Sequence, residues 1–136
     1  MVESSVVTYQ GRIIDYSIGN AGSVEFNFER IWEFKRYMGE EFQPYLLNFY
    51  HVHPEGLNIY SELDKKCMEG FWIAFGYPIY FTVITFFSSE LFDLSLTYST
   101  YEYSGRGAIN QVDVVHLSED QILFLKHLSY YFIGGT

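Results

Sequence analysis

The N-terminal half of the chain alternates between short β-type runs and one helical pattern. Two β-branched and aromatic runs, separated by a glycine turn, predict strands at Ser5–Tyr9 and Arg12–Ile18. Over Glu29–Glu41 the apolar residues recur at helical spacing, and Pro44 breaks that helix. The largely apolar run Tyr45–His53 follows, which is typical of a buried strand. This half therefore predicts strands on both sides of a helix.

The C-terminal half predicts two more helices and three more strands. Ser61 is the expected N-cap of the first helix, and Ser118 begins the last one, with Gln121 completing a capping box. The last helix is predicted to end at Gly134–Gly135. The strands are predicted at Ile79–Phe87, Leu91–Tyr103 and Ile109–Val115. Strands interleaved with helices predict an α/β or α+β fold, in which a mixed β-sheet is flanked by helices in a single domain over residues 1–136.

One uncharged stretch, Gly70–Ser89, is about as long as a membrane-spanning helix. Gly76 and Pro78 interrupt this stretch, and most of the residues after Pro78 are β-branched or aromatic. A helix end, a turn and a buried strand explain the pattern better than a membrane helix does. We therefore expect no membrane partner.

The composition of the 136 residues narrows the class of protein further. Hydrophobic residues make up 49% and aromatic residues 21%, so the chain can bury a core and is not disordered. The net charge of −9 argues against a nucleic-acid partner, because phosphate backbones need a basic patch. The single cysteine, Cys67, excludes an intramolecular disulfide and a cysteine-based zinc cluster. The N-terminus lacks the pattern of a signal peptide, so we expect a cytoplasmic protein.

Two histidines and a carboxylate lie where a strand gives way to a helix. His51 and His53 are two residues apart near a strand end, so both imidazoles point to the same side. Pro54 ends that strand, and a loop returns to Ser61, which places Asp64 in the first turn of a helix. Two imidazoles and one carboxylate, with water in the fourth position, form many catalytic zinc sites, and zinc lowers the pKa of that water to about 7. A structural histidine pair beside an ordinary capping box is the alternative that needs no metal.

This segment resembles the JAMM motif of the MPN-domain zinc metalloproteases. The motif has the order His, any residue, His, Pro, six residues, Ser, two residues, Asp. The matching residues are His51, His53, Pro54, Ser61 and Asp64. By average residue usage, such a match arises by chance in a chain this short about once in a hundred thousand cases. The family usually has Ser or Thr between the histidines, and Val52 takes that position here, where no ligand is required.

The resemblance implies a fold, a metal and a set of roles. The expected fold is that of the MPN or JAMM domain, which is similar to the cytidine deaminases. His51, His53 and Asp64 would hold one Zn²⁺ per chain, and Ser61 would stabilise the oxyanion of a tetrahedral intermediate. The chain has little room for the insertions that grip ubiquitin, so a minimal prokaryotic, archaeal or phage-type member is the better comparison.

The family also uses a glutamate far upstream, at the start of the first strand, as general acid and base. Glu3 directly precedes the strand Ser5–Tyr9, and we assign this role to it. Glu25, Glu29 and Glu33 are alternatives, but they lie nearer to the histidine pair and in other elements. The family usually has a helix before this glutamate, where this chain has two residues, and we expect the last helix to fill that space.

The function expected from the resemblance is zinc-dependent hydrolysis of an amide bond by a metallopeptidase or isopeptidase. Its substrate would be a protein or peptide, with the C-terminal glycines of a ubiquitin-like or sulfur-carrier protein as one class. A catalytically inactive scaffold or protein-interaction module of the MPN type is the first alternative. A phage or mobile-element peptidase that acts in assembly or on cell-wall peptides is the second.

Overall fold

The first two strands, β1 (Ser4–Tyr9) and β2 (Arg12–Ile18), form an antiparallel hairpin. Gln10 and Gly11 make its two-residue turn with φ values of 52° and 79°. Positive φ at both central residues is what the commonest tight hairpin turn requires, because its twist matches that of the strands. The turn that the sequence predicted here is therefore confirmed.

The structure, a computed structural model, describes residues 2–20, 25–53, 59–113 and 117–131. Pro54, the last two residues of the strand predicted at Ile109–Val115 and the helix end predicted at Gly134–Gly135 lie outside these ranges. The sheet contains six strands in the order β2-β1-β3-β4-β5-β6. The remaining strands are β3 (Leu47–Val52), β4 (Ile79–Phe86), β5 (Leu96–Tyr103) and β6 (Ile109–Val112).

The sheet is mixed because one central pair of strands is parallel. β3 and β4 run parallel, whereas every other neighbouring pair is antiparallel. Parallel neighbours need a crossover connection, which here contains α2 (Glu62–Phe75). The chain over the described ranges is thus one α+β domain with an open sheet, as the order of elements predicted.

The two faces of the sheet carry separate apolar cores. Side chains alternate along each strand, so Val7 and Phe49 face one side while Val6 and Tyr50 face the other. Helices α1 (Phe28–Met38) and α2 cover the first face, and α3 (Glu119–Tyr130) covers the second. The candidate residues described below lie on the face that α2 covers.

Helix α2 has a different buried face from the one that its apolar residues predicted. By helical spacing, Leu63, Cys67 and Phe71 share one face of this helix, but Leu63 is 51% exposed. The buried residues of the helix are Asp64, Met68, Phe71 and Phe75. These residues are three or four positions apart, so they form one stripe, and that stripe brings a carboxylate to the sheet.

The elements around the uncharged stretch Gly70–Ser89 agree with the sequence reading. Helix α2 ends at Phe75, Gly76 takes a left-handed conformation as its C-cap, and β4 begins at Ile79. Among the described residues, no helix is both long and apolar enough to cross a membrane.

Several predicted boundaries move by a few residues. Helix α1 ends at Met38, because Gly39 has a φ of 62° and leaves the helical conformation. A single 3₁₀ turn at Pro44–Leu46 then delays the start of β3 to Leu47. The ring of a proline at the start of a turn fixes its φ angle and favours this conformation over a strand.

Candidate metal centre

The pairing of β1 with β3 brings the upstream glutamate to the histidines. In this antiparallel ladder Ser5 pairs with His51 and Ser4 pairs with Val52. The same register, continued by one residue, sets Glu3 opposite His53. Because side chains two apart share a face, Glu3, His51 and His53 all project toward α2.

The backbone of Glu3 is held between two neighbours. Its N–H donates to the carbonyl of Asn20 at 2.8 Å, and its carbonyl accepts from the N–H of Gly19 at 2.9 Å. The adjacent Val2 N–H donates to the carbonyl of Ser129 on α3 at 2.9 Å. The last helix therefore supports the start of β1, and Glu3 is itself only 5% exposed.

The carboxylate of Glu3 lies against both imidazoles. Its Oε1 is 2.8 Å from Nε2 of His51 and 3.8 Å from Nε2 of His53. The contact with His51 is close but lacks the alignment of a hydrogen bond, and this Nε2 has no hydrogen-bond partner among the described residues. A buried ring nitrogen that has a carboxylate oxygen beside it, but no aligned hydrogen bond, remains available as a metal ligand.

Asp64 approaches the same histidines from the start of α2. Ser61 caps this helix: its Oγ accepts from the N–H of Asp64 at 3.1 Å, and its own N–H donates to Oδ2 of Asp64 at 2.9 Å. This reciprocal box fixes the Asp64 side chain, whose Oδ1 is 2.9 Å from Nδ1 of His51. Its Oδ2 is 3.1 Å from Nε2 of His53. One carboxylate thus contacts both imidazoles.

The charges of this cluster stabilise one another. Burial lowers the pKa of His51, but the carboxylates of Asp64 and Glu3 favour the charged ring more strongly, so its pKa is raised above 6.5. Burial raises the pKa of Asp64, but hydrogen bonds with His51 and His53 outweigh this effect and hold its pKa well below its usual range. In the metal-free protein the contacts of this cluster therefore favour the protonated ring of His51.

The donor set of the cluster fits a metal ion. The ligand atoms of Glu3, His51 and His53 all lie within 4.8 Å of one another, and the three residues are wholly or largely buried. Two imidazole nitrogens with carboxylate oxygens suit several first-row divalent metals, zinc among them. Asp64, expected from the sequence as the third ligand, contacts both histidines but is not a member of this group of three, in which Glu3 supplies the carboxylate. Ser61 lies at the edge of the cluster as the helix cap.

The alternative glutamates lie elsewhere. Glu29 and Glu33 are on α1 and exposed, and Glu25 is exposed in the segment that precedes this helix. None of the three belongs to the group with ligand atoms close to the histidines among the described residues. Of the glutamates considered from the sequence, Glu3 is the one that reaches the cluster.

Phe26 is a neighbour of the cluster that the sequence pattern did not indicate. Its ring centre is 6.4 Å from that of His51 in an edge-to-face arrangement, and it also packs on Phe49 and Phe71. Thr85 is a second such residue, since its hydroxyl donates to the carbonyl of His53 at 3.4 Å. Both residues lie far from the motif along the chain, so no local spacing could have identified them.

Comparison with known proteins adds no family to this description. No protein-family model matches the chain, and no curated protein matches it in sequence.

The pKa shifts predict how the stability of the metal-free protein depends on pH. The depressed pKa of Asp64 contributes stability above its unfolded value of 3.8, and this contribution is lost as the pH falls below that value. The raised pKa of His51 contributes stability below 6.5, and this contribution is lost as the pH rises through the folded pKa. The free energy of unfolding should therefore be greatest between about pH 4 and 6.5.

Urea unfolding of chelator-treated protein at a series of pH values measures this dependence. The His51→Gln variant is the control, because it should lose the decline on the alkaline side. Its acid limb should become smaller without disappearing, since His53 and the Ser61 backbone still lower the pKa of Asp64. If the free energy of unfolding of the wild type stays constant from pH 5 to pH 9, the two carboxylates do not stabilise the charged form of His51.

Proposed function

We propose that the protein is a zinc-dependent metallopeptidase or isopeptidase of the JAMM type. The observation that carries this proposal is the convergence of Glu3, His51, His53 and Asp64, from two strands and a helix, in one buried cluster. His51, His53 and Asp64 would hold one zinc ion per chain. Their nitrogen and oxygen donors are the set found in many hydrolytic zinc sites.

A bound zinc ion supplies Lewis acidity, which polarises a carbonyl group and makes water acidic enough to react near neutral pH. The chain itself provides the proton transfers. The carboxylate of Glu3, on the same face as the histidines, accepts a proton from water and later delivers it to the leaving amine. Its burial and its backbone hydrogen bonds hold it in one orientation for this task.

Ser61 is proposed to stabilise the oxyanion that forms at the substrate carbonyl. Its Oγ accepts the hydrogen bond from the Asp64 backbone, so the hydroxyl proton is not used in that contact. The residue is exposed at the N-terminus of α2, where positive ends of backbone dipoles also favour a negative oxygen. The hydroxyl can therefore donate toward substrate.

The substrate proposed is a protein or peptide segment. β2 is an edge strand, and an extended chain can lie beside such an edge as an added strand. The C-terminal glycines of a ubiquitin-like or sulfur-carrier protein are the substrate class that the motif resemblance implies. A phage or mobile-element peptidase would use the same residues on a different peptide.

The alternative of an inactive scaffold depends on the glutamate. A scaffold has no need of a carboxylate next to the histidines, whereas Glu3 lies 2.8 Å from His51 and is buried there. Burying a carboxylate costs free energy unless charged or polar groups compensate. This arrangement favours the enzyme over the scaffold.

Metal content tests the proposal most directly. Protein purified without chelator should contain about one zinc ion per chain by inductively coupled plasma mass spectrometry, and His53→Ala should contain far less. His127→Ala, on α3 at the other face of the sheet, is the matched control and should keep its zinc. Wild-type protein that takes up no zinc, even when zinc is added back, would leave the scaffold as the better interpretation.

A further inference from the structure

A small pocket opens directly beside the candidate metal centre. It has a volume of about 260 Å³ and lies between the segment before α1 and the first turns of α2. Its lining residues are Glu25, Phe26, Leu63, Asp64, Lys66 and Cys67. Because Asp64 also contacts both histidines, the pocket and the metal centre share a wall.

The walls of this pocket are mainly apolar. Phe26, Leu63 and Cys67 supply aromatic, aliphatic and sulfur surface. Burial raises the pKa of the Cys67 thiol to about 12, so this group is uncharged at neutral pH. Glu25 and Lys66 are exposed, so their charges belong to the rim, and Leu63 beside them is half-exposed. The buried carboxylate of Asp64 forms part of the wall.

The volume of the pocket limits what can occupy it. Sites for whole small molecules usually enclose about 300–1,000 Å³, so this pocket suits a single side chain of a larger ligand. A second cavity of about 610 Å³ shares Glu25 and Phe26 with it and continues along Tyr16–Asn20, at the edge of the sheet. The two cavities are therefore neighbours that meet at Glu25 and Phe26.

We propose that this pocket binds an apolar side chain of a peptide substrate, at the residue next to the bond that is cleaved. The inference rests on the proposed peptidase function and adds its specificity. A glycine at that residue leaves the pocket empty. The pocket therefore favours peptides with a Leu-sized side chain there over the glycine-terminated class that the motif resemblance implies. The apolar contact distinguishes such a side chain from glycine by about tenfold or more in affinity.

Peptide binding to an inactive, zinc-loaded protein tests the pocket without requiring turnover. The Glu3→Gln variant is titrated calorimetrically with blocked pentapeptides that have alanine at four positions and either leucine or glycine in the centre. The leucine peptide should bind about ten times more tightly. Equal affinities for the two peptides, or no binding of either, would overturn the proposal.

Two exposed positions on α2 provide matched variants. Leu63→Glu places a charge in the pocket wall, while an acidic residue in the first turn is compatible with the helix. Ile73→Glu makes the same change at a residue that is 74% exposed and does not line the pocket. The leucine preference should disappear in Leu63→Glu and remain in Ile73→Glu. If the preference survives in both variants, the leucine side chain binds elsewhere on the protein.

The failure of this inference is distinguishable from failure of the proposed function. If binding shows the leucine preference while wild-type protein cleaves no peptide, the pocket is confirmed and the peptidase proposal is wrong. If wild-type protein cleaves the glycine and leucine peptides equally well, the peptidase proposal stands and the pocket proposal is wrong.

Discussion

Replacing Glu3 with glutamine is expected to reduce peptide hydrolysis by about 10²–10⁴-fold while the zinc content stays unchanged. Glutamine keeps the size of the side chain and its contact with His51, but its amide cannot accept the proton that a general base removes. The loss corresponds to about 3–5 kcal/mol of transition-state stabilisation. Initial rates on a cleaved peptide, together with metal analysis of the same sample, measure both parts of the prediction.

Glu33→Gln is the matched control, because Glu33 is an exposed glutamate on α1 away from the cluster. Its activity should match that of the wild type. If Glu3→Gln keeps its activity, the base is another residue. If it loses zinc together with activity, Glu3 is itself a metal ligand, in keeping with the closeness of its oxygen to both histidines.

Asp64→Ala should have the largest effect on the stability of the metal-free protein, a loss of about 3–5 kcal/mol. The variant leaves a charged imidazole buried with one carboxylate fewer, and it removes the acceptor for the Ser61 backbone N–H. Urea unfolding at pH 6, in the presence of chelator, measures the change where His51 is still protonated in the folded protein. The variant should also fail to retain zinc.

Helix α3 offers a control for the part of this loss that comes from capping. Ser118 and Gln121 form the same reciprocal box there, with no imidazole nearby among the contacts described for them. Gln121 also donates to the carbonyl of Gly11 at 2.7 Å, so Gln121→Ala should cost about 1–2 kcal/mol for both interactions. Equal losses in the two variants would mean that the contacts of Asp64 with the histidines add no stability.

The cluster and the fold depend on the same contacts. β1 carries Glu3 at one end and Val7 in the core beneath α2, so the strand that positions the carboxylate also anchors the sheet. Ser4 on the opposite face contacts the hydroxyl of Ser129 on α3 at 2.6 Å. Variants in α3 that loosen this contact should therefore be checked for zinc content as well as for stability.

Local features of the chain were predictable from the sequence because a few neighbouring residues encode them. The capping box at Ser61, the box at Ser118 and the turn at Gly76 each depend on side chains or φ angles within one helical turn. The alternation along β3 likewise set His51 and His53 on one face. These local features predicted that His51, His53 and Asp64 lie close together, and the contacts of Asp64 with both imidazoles confirm it. Glu3 was assigned through the motif resemblance.

Tertiary structure decided which distant residues join that group and how α2 faces it. The position of Glu3 opposite His53 follows from the register between β1 and β3, which depends on the pairing of strands separated by most of the N-terminal half. Apolar spacing alone groups Leu63 with Cys67 and Phe71, but the folded helix exposes half of Leu63 and buries Asp64. Burying a carboxylate is unfavourable by itself, but the contacts of Asp64 with two buried imidazoles offset that cost. These contacts form only when the histidine-bearing strand and α2 have packed together.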